Sequence, residues 1–129
     1  MESIAALTLL LSLAGGTLVA QEATVTTLVS KDLAGVPGKE LLMITVTYPP
    51  GGSDHAHTHD AQVLVYVIEG SIVMQVNGKA AVTLGPGDTF YEDPDDVHVV
   101  SRNASNTAPA KFLVFFAKAK GTPVLVPAK

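Results

Sequence analysis

Apolar and polar side chains alternate over short stretches of the chain beyond residue 21, and no window has the three-to-four-residue apolar spacing of a helix. Alternation predicts strands, because successive side chains of a strand point to opposite faces of its sheet. Turn-forming residues separate the stretches, and Asn77-Gly78 is the strongest hairpin signal because both residues tolerate the positive φ of a two-residue primed turn. The predicted strands span residues 24–29, 41–48, 63–68, 71–76, 80–84, 97–102 and 111–117.

The fold predicted from this pattern is all-β. Short antiparallel strands in a single open sheet would leave one apolar face in water, so they are expected to close into a sandwich or a barrel. A chain of 129 residues with 47% hydrophobic content can bury one core of ordinary size, which predicts a single domain. The segment from Phe112 to Phe116 is apolar on both parities, a pattern as consistent with a homodimer as with an ordinary core strand.

An almost uninterrupted apolar run, Ile4 to Ala20, stands before the strands and is followed at once by two polar residues. It resembles a secretory signal peptide cleaved after Ala20, although an acid stands where a positive charge is usual. We therefore expect a signal peptide over 1–20, a mature domain over 21–129, and a secreted or periplasmic protein. The alternatives are a buried strand pair and a membrane anchor, but about 17 apolar residues fall short of the roughly 20 that a stable span requires.

Charge and cysteine content exclude several classes of function. The 12 acidic side chains outnumber the 8 basic ones, giving a formal net charge of -4, and the basic residues form no stripe. Nucleic-acid binding is therefore not expected, since it draws much of its free energy from clustered positive charge. The absence of cysteine excludes disulfides, thiolate metal sites and a cysteine nucleophile.

Three of the four histidines, His55, His57 and His59, alternate within one short stretch. On an extended strand, side chains two residues apart share a face, so any two successive members of this set could bind one metal ion at bond lengths near 2 Å. The alternative is a solvated polar loop. The clustering is therefore a candidate metal site that needs support from elsewhere in the chain.

That support comes from a resemblance to the two motifs of the cupin superfamily. The first motif is matched by Gly51, His57, His59 and the run Tyr66-Val67-Ile68-Glu69-Gly70, and the second by Gly85-Pro86-Gly87-Asp88 followed by Asp93-Pro94-Asp95-Asp96-Val97-His98. The matches cover residues 51–70 and 85–103. The resemblance, to small single-domain cupins of the quercetin-dioxygenase-like type, implies a jelly-roll β-barrel, or double-stranded β-helix, that holds one metal ion.

The resemblance also implies a ligand set, in which His57, His59 and His98 bind the metal. The chain departs from the family where the first motif usually has a glutamate, because Val63 stands there. Gln62, one residue earlier, offers an amide oxygen and is expected to be a weak fourth ligand or a simple strand-start residue.

Two further residues near the motifs are weighed as members of the site. His55 falls outside the family's spacing and is expected to support a ligand or to lie on the surface. Glu92 is the other candidate for the missing carboxylate, but its place just before Asp93-Pro94 is more simply interpreted as a charge at the barrel rim.

The expected cofactor is one divalent transition-metal ion per chain. Copper is favoured because imidazole binds it strongly and no anionic ligand is evident, while iron, manganese, nickel and zinc also accept histidine. Inward-facing Val65, Val67, Val73 and Phe90 would keep water from the open coordination position. Tyr66 and Tyr91 are weak catalytic candidates; together with Tyr48 they are the only phenols, and strand tyrosines more often belong to a core or an interface.

The function expected from these features is an exported, copper-dependent cupin oxidoreductase that uses O2 or peroxide. The boldest hypothesis for its substrate is a polysaccharide such as cellulose, although the chain has no tryptophan to stack on sugar rings. The alternatives are a dioxygenase of a small phenolic or flavonoid substrate and a non-enzymatic protein that binds a metal or small ligand. A cupin fold alone does not choose between them.

Overall fold

Two antiparallel sheets face each other across the core of the chain, whose computed structural model describes residues 22–129. The predicted signal peptide lies outside this range. The eleven strands are β1 (Thr24–Asp32), β2 (Lys39–Tyr48), β3 (Ser53–Asp54), β4 (His57–Thr58), β5 (Ala61–Glu69), β6 (Ile72–Val76), β7 (Val82–Leu84), β8 (Thr89–Glu92), β9 (His98–Asn103), β10 (Ala110–Ala119) and β11 (Val126–Pro127).

The strand order is that of a jelly roll. One sheet runs β1-β2-β10-β5-β8, and the other runs β11-β4-β9-β6-β7 with β3 also paired to β9. No helix occurs in residues 22–129, and so none there is long and apolar enough to cross a membrane. The prediction of an all-β jelly roll is confirmed.

Each of the predicted strands corresponds to an observed one, with boundaries that differ by up to three residues. Strands β3, β4, β8 and β11 were not predicted. Three of them have two residues each and β8 has four, which is too short for alternation to stand out from the turn residues on either side.

The Asn77-Gly78 pair connects two paired strands as predicted, but through a different turn. Strands β6 and β7 are antiparallel, and the Lys79 amide donates to the Val76 carbonyl across the turn at 3.0 Å. Only Gly78 has a positive φ, at 81°, so the two-residue primed turn is not formed. Strand β7 begins later than predicted because the connection is longer.

Strand β10 lies at the centre of its sheet between β2 and β5, and side chains of alternate parity from all three strands enter the core. On β5 this alternation buries Val63, Val65 and Val67 and leaves Gln62 and Leu64 exposed. The fully buried side chains of the core include Tyr48, Ile72, Met74 and Phe116. The predicted inward positions of Val65 and Val67 are confirmed, since both belong to the buried core. Val73 is buried but lies outside the core cluster, on the opposite parity of β6 from Ile72 and Met74, so its predicted inward position is not confirmed.

The glycine that ends the first motif is required by the backbone. Gly70 joins β5 to β6 with φ of 73°, a conformation that side-chain-bearing residues rarely adopt. A Cβ atom at this position would lie 2.5 Å from the Pro109 carbonyl oxygen and 2.8 Å from the Ala110 Cα. The turn after β5 therefore depends on glycine for both conformation and space.

Candidate metal centre

Strand pairing brings together histidines that are far apart in the sequence. His57 on β4 and His98 on β9 are directly opposite each other, and His59 follows two residues after His57. One nitrogen from each imidazole lies within 4.8 Å of the other two. Ligands bonded to one ion at about 2 Å lie within roughly 4 Å of each other, so the three side chains are close to metal-binding spacing. Their predicted convergence is observed.

Two of these rings are oriented by backbone carbonyl groups. His57 Nδ1 donates to the His55 carbonyl and His59 Nδ1 donates to the Val124 carbonyl, each at 2.6 Å. A carbonyl oxygen only accepts, so each Nδ1 carries the proton and each Nε2 presents a lone pair. The two Nε2 atoms face each other at 3.1 Å. Two lone pairs at this distance repel unless a cation lies between them.

Burial favours the metal-binding form of His57. It lowers the pKa of His57 below its ordinary value of 6.5, the hydrogen bond to the His55 carbonyl opposes this, and neighbouring His59 and His98 lower the pKa further. A histidine must be neutral to bind a metal ion. The site therefore holds His57 in the required state near neutral pH.

A carboxylate also lies at the cluster, and it comes from Glu92 on β8. Its side chain is buried, with Oε1 at 2.8 Å from His98 Nδ1 and Oε2 at 3.6 Å from His59 Nε2. Glu92 pairs across the sheet with Val63, the residue at the family's usual glutamate position. The interpretation of Glu92 as a rim charge is therefore wrong, because β8 extends through it and turns its side chain inward.

Several polar atoms of the cluster have no hydrogen-bond partner within the described chain. They are Glu92 Oε1, His98 Nδ1 and His98 Nε2; the first two are close enough for a hydrogen bond but are not aligned for one. Buried polar groups are rarely left unpaired, because the cost is of order 1–3 kcal/mol each. A cation bound at the cluster would satisfy Glu92 Oε1 and one of the two His98 nitrogens. The residues present therefore fit a mononuclear metal ion held by three imidazoles and one carboxylate.

Gln62 does not lie at this site. It is exposed on the outer face of β5, where its Nε2 donates to the Tyr91 hydroxyl at 3.0 Å. Alternation along β5 turns Val63 inward and Gln62 outward, so the predicted role of Gln62 as a fourth ligand is corrected. His55 is also exposed, and its contribution to the site is the backbone carbonyl that accepts from His57.

The two tyrosines considered as weak catalytic candidates, Tyr66 and Tyr91, also lie on the outer face. Tyr66 is 48% exposed and Tyr91 is 44% exposed, and neither lines the cavity beside the histidines. The phenol that does so is Tyr48, whose burial raises its pKa above the ordinary value. The proposed roles of Tyr66 and Tyr91 in the site are therefore corrected in favour of an inward tyrosine from β2.

The histidines form part of the wall of a cavity of about 210 Å³ inside the barrel. Phe90 stacks on the imidazole of His98, with ring centroids 5.8 Å apart and planes at 9°. The remaining wall is largely apolar, which limits the access of water to the cluster. The lining residues are Ala23, Val25, Ile44, Val46, Tyr48, Asp54, His57, His59, Val65, Met74, Glu92, His98, Ser101, Phe112, Val114, Phe116, Val124 and Leu125.

Sequence reasoning identified the three histidines but did not find Asp54 or Ser101. Asp54 is the last residue of the two-residue strand β3, and Ser101 lies opposite it on β9. Both lie within the ranges matched to the two motifs, but at positions that neither motif specifies. The pairing of β3 with β9 brings them together, and strand pairing is not visible in a single sequence.

Comparison with known proteins supports the same fold. A profile of the cupin domain family matches residues 44–116, more than half of the chain. A search of curated proteins gives no match. The matched range contains the three histidines and Glu92.

Solved structures of similar fold include enzymes. An uncharacterized conserved protein with a double-stranded β-helix domain from Klebsiella pneumoniae is 18% identical at a TM-score of 0.65, over 83% of this chain and 86% of that protein. An oxalate oxidase in complex with glycolate is 24% identical at a TM-score of 0.63, over 81% of this chain and 54% of the oxidase. The DMSP lyase DddQ from Ruegeria pomeroyi is 24% identical at a TM-score of 0.61, over 68% of this chain and 43% of the lyase.

At these identities the structural likeness establishes the fold, and the chain spans only about half the length of either enzyme. The family match is independent of that likeness and extends over both sequence motifs. With a jelly-roll topology that places His57 and His98 on paired strands, the chain belongs to the cupin family.

Proposed function

We propose that this protein is a mononuclear metal-dependent enzyme that acts on a small molecule inside its barrel. The observation that carries the proposal is the convergence of His57, His59, His98 and Glu92 on the wall of an apolar cavity. A bound ion would supply Lewis acidity or, for a redox-active metal, electron transfer. The chain would orient two of the imidazoles through backbone carbonyls and exclude water with apolar side chains.

The donor set changes the choice of metal. Copper was favoured because the sequence offered no anionic ligand, and Glu92 supplies one. Carboxylate ligands suit manganese, and a combination of histidines with one carboxylate suits iron. We therefore propose iron or manganese before copper, with nickel and zinc also compatible with the donors.

The cavity supports a small substrate over a polysaccharide. Its volume of about 210 Å³ is below the range of roughly 300–1,000 Å³ that is common for drug-sized ligands. Both ends of the described chain, through Val25 and Leu125 among others, contribute to its wall, whereas a polymer needs an open cleft. The glycolate bound by the similar oxalate oxidase supports a ligand of this scale. Oxidative cleavage of cellulose is therefore the less favoured substrate hypothesis, and a small-molecule oxygenase or related reaction is the preferred one.

A protein that only binds a metal or small ligand is the second candidate. Its support in the sequence was the missing motif glutamate, and Glu92 weakens that support. Metal-dependent turnover of small carboxylates or phenols, followed as oxygen uptake or product formation, would separate an enzyme from a binding protein. A metal-loaded protein without any such turnover would favour the binding protein.

Export is a separate part of the proposal and depends on the apolar run Ile4 to Ala20. Expression of the full chain, followed by cell fractionation and N-terminal sequencing, tests it. Mature protein beginning at Gln21 outside the cytoplasm is the expected result. Retention of the intact N-terminus in the cytoplasm would contradict export and leave the metal centre unaffected.

We also propose that a second copy of the chain covers the outer face of the β1-β2-β10-β5-β8 sheet. Strand pairing aligns five apolar side chains in one row across this face, which we call the outer row: Val29, Met43, Phe115, Leu64 and Tyr91. Leu64 is 53% exposed and Val29 is 45% exposed. A row that crosses the full sheet is an unusual surface for a monomer, and homodimers commonly bury such patches.

Metal analysis is the direct test of the proposed function. The purified protein, its Glu92→Gln and His98→Ala variants, and a Gln62→Ala control would be compared by mass spectrometry of bound metals. We expect close to one metal ion per chain in the parent and the control, and a loss in both site variants. Absence of bound metal from the folded parent after incubation with iron, manganese and copper would refute the proposed function.

A further inference from the structure

A second polar group lies in the cavity, formed by Tyr48, Asp54 and Ser101. The Tyr48 hydroxyl contacts Asp54 Oδ2 at 2.5 Å and Ser101 Oγ at 2.6 Å. Tyr48 is completely buried, Ser101 is buried, and Asp54 is half-buried. All three residues line the same cavity as the histidines.

The direction of hydrogen bonding in this group follows from its chemistry. An ionised carboxylate only accepts, so the single proton of Tyr48 is donated to Asp54 Oδ2. Ser101 then has one proton and two acceptors, the Tyr48 oxygen at 2.6 Å and Met74 Sδ at 3.4 Å, and it donates to the Tyr48 oxygen because a thioether is the weaker acceptor. The chain of donation runs from Ser101 through Tyr48 to Asp54, and it holds the carboxylate of Asp54 in one orientation.

One oxygen of that carboxylate remains available. Within residues 22–129, hydrogen bonding to Asp54 is found only at Oδ2. A carboxylate beside an apolar cavity is costly unless its oxygens have partners. Tyr48 accounts for Oδ2, which accepts its proton, and leaves Oδ1 without a partner among the described residues.

We propose that Asp54 binds a hydrogen-bond donor, a hydroxyl or ammonium group, on a small substrate whose other end reaches the metal centre. The inference rests on the proposed function for the second end of that substrate. The substrate would therefore be bifunctional, with an oxygen group such as a carboxylate that binds the ion and a hydrogen-bond donor that binds Asp54. Tyr48 and Ser101 are positioning residues, since they hold Asp54 and neither is required to contact the donor.

The test compares the binding of three carboxylates with the same three-carbon skeleton to the metal-loaded protein. These are 3-hydroxypropanoate, β-alanine and propanoate, which carry a hydroxyl, an ammonium and no donor at the far end. Dissociation constants are measured by calorimetry. The parent is expected to bind at least one of the two donor ligands about 10-fold or more tightly than propanoate, the effect of one charge-assisted hydrogen bond. The stronger of the two identifies the donor.

Asp54→Asn is the decisive variant, because its amide can keep the oxygen toward Tyr48 and turn an NH2 group toward the cavity. It is expected to lose the preference for donor ligands while keeping the parent's metal content. Asp93→Asn, which alters an exposed carboxylate that accepts from Tyr91 on the outer face, is the matched control and should retain the preference. If Asp54→Asn does not fold, Tyr48→Phe is the variant to measure. Its preference for donor ligands over propanoate is expected to be reduced several-fold, with unchanged metal content.

The outcomes separate this inference from the proposed function. A parent that holds metal but binds all three carboxylates equally, or none of them, overturns the role of Asp54 and leaves the metal centre standing. Unchanged donor preference in the variants also overturns it, as does loss of metal from Asp54→Asn, which would place Asp54 in the metal centre instead. A folded parent without metal refutes the proposed function, and the inference that rests on it fails with it.

Discussion

Replacing Glu92 with methionine tests the metal centre through protein stability. Glu92 is 2% exposed, and its Oε1 has no hydrogen-bond partner among the described residues. An unpaired buried polar group costs about 1–3 kcal/mol, so an apolar side chain of similar size should raise the free energy of unfolding by an amount in that range. Each 1 kcal/mol corresponds to roughly 4–8 °C in Tm for a domain of up to about 100 residues. The metal-free variant should therefore unfold several degrees above the parent.

With metal, the same substitution should remove stabilisation. Binding raises the free energy of unfolding by RT ln(1 + [M]/Kd), about 2.7 kcal/mol at a 100-fold excess over Kd. Even loss of a group that only supports a ligand weakens metal binding by about 10- to 100-fold, so the metal-dependent gain should fall to half or less. The variant is thus expected to have a higher free energy of unfolding than the parent in the absence of metal, and a smaller increase in that free energy when metal is added.

The assay is thermal and urea unfolding at pH 8, with a chelator in one arm and excess metal in the other. Gln62→Met is the matched control, because Gln62 lies on the neighbouring strand with its side chain on the exposed face. It should leave the metal-dependent gain unchanged. A Glu92→Met variant that is less stable than the parent in chelator, or that keeps the full gain from metal, would refute the interpretation of Glu92 as a carboxylate held ready for a cation.

Four further outcomes are expected. Glu92→Val alone should lose bound metal, and adding Val63→Glu should restore it, because both side chains face the core from adjacent strands. A double variant that recovers no metal would show that the two positions are not interchangeable. The free energy of unfolding of the metal-free protein should fall as pH drops below 6.5, because the unfolded chain takes up a proton at His57 that the buried ring, with its lowered pKa, resists. His57 contributes at most about 1.4 kcal/mol per pH unit to this fall. Urea titrations at pH 5–8 should show a shallower dependence of the unfolding free energy on pH in His57→Gln, and an equal dependence would exclude His57 as the origin. Phe115→Lys at the centre of the outer row should convert a dimer to a monomer in light scattering, whereas a monomeric parent would refute the dimer. Truncation after Thr122 should weaken metal binding at least several-fold, because it removes the Val124 carbonyl that orients His59. If metal titration gives the truncated protein the same affinity as the parent, this hydrogen bond is dispensable.

The long strands could be predicted from the sequence because each is long enough for its period to be seen. Strands β2, β5 and β10 have nine or ten residues with one buried parity, and all three were found with small errors at their ends. The two-residue strands β3 and β4 carry no such period. They form because β9 offers them hydrogen-bonding partners, and that is a property of the assembled sheet.

Parity explains why Gln62 was assigned to the site. The family's glutamate position is Val63, and the sequence places its polar neighbour Gln62 next to it as a substitute ligand. A displacement of one residue along a strand moves a side chain to the other face of the sheet. Proximity in sequence is therefore misleading on β5, where Val63 has no exposed surface and Gln62 faces solvent.

The carboxylate at the site comes instead from the neighbour in space. Glu92 is the cross-strand partner of Val63, on a strand too short to predict and next to an Asp-Pro pair that indicated a turn. Residues paired across a sheet point to the same face, so a ligand lost at one of them can be replaced at the other with little change in where the carboxylate lies. A sequence motif specifies which position of a strand carries a ligand. The metal ion requires only that a carboxylate oxygen reach its binding site inside the barrel, from whichever strand. The departure of Val63 from the cupin motif is thus compatible with a complete donor set, and the exchange of residues 63 and 92 measures how interchangeable the two positions are.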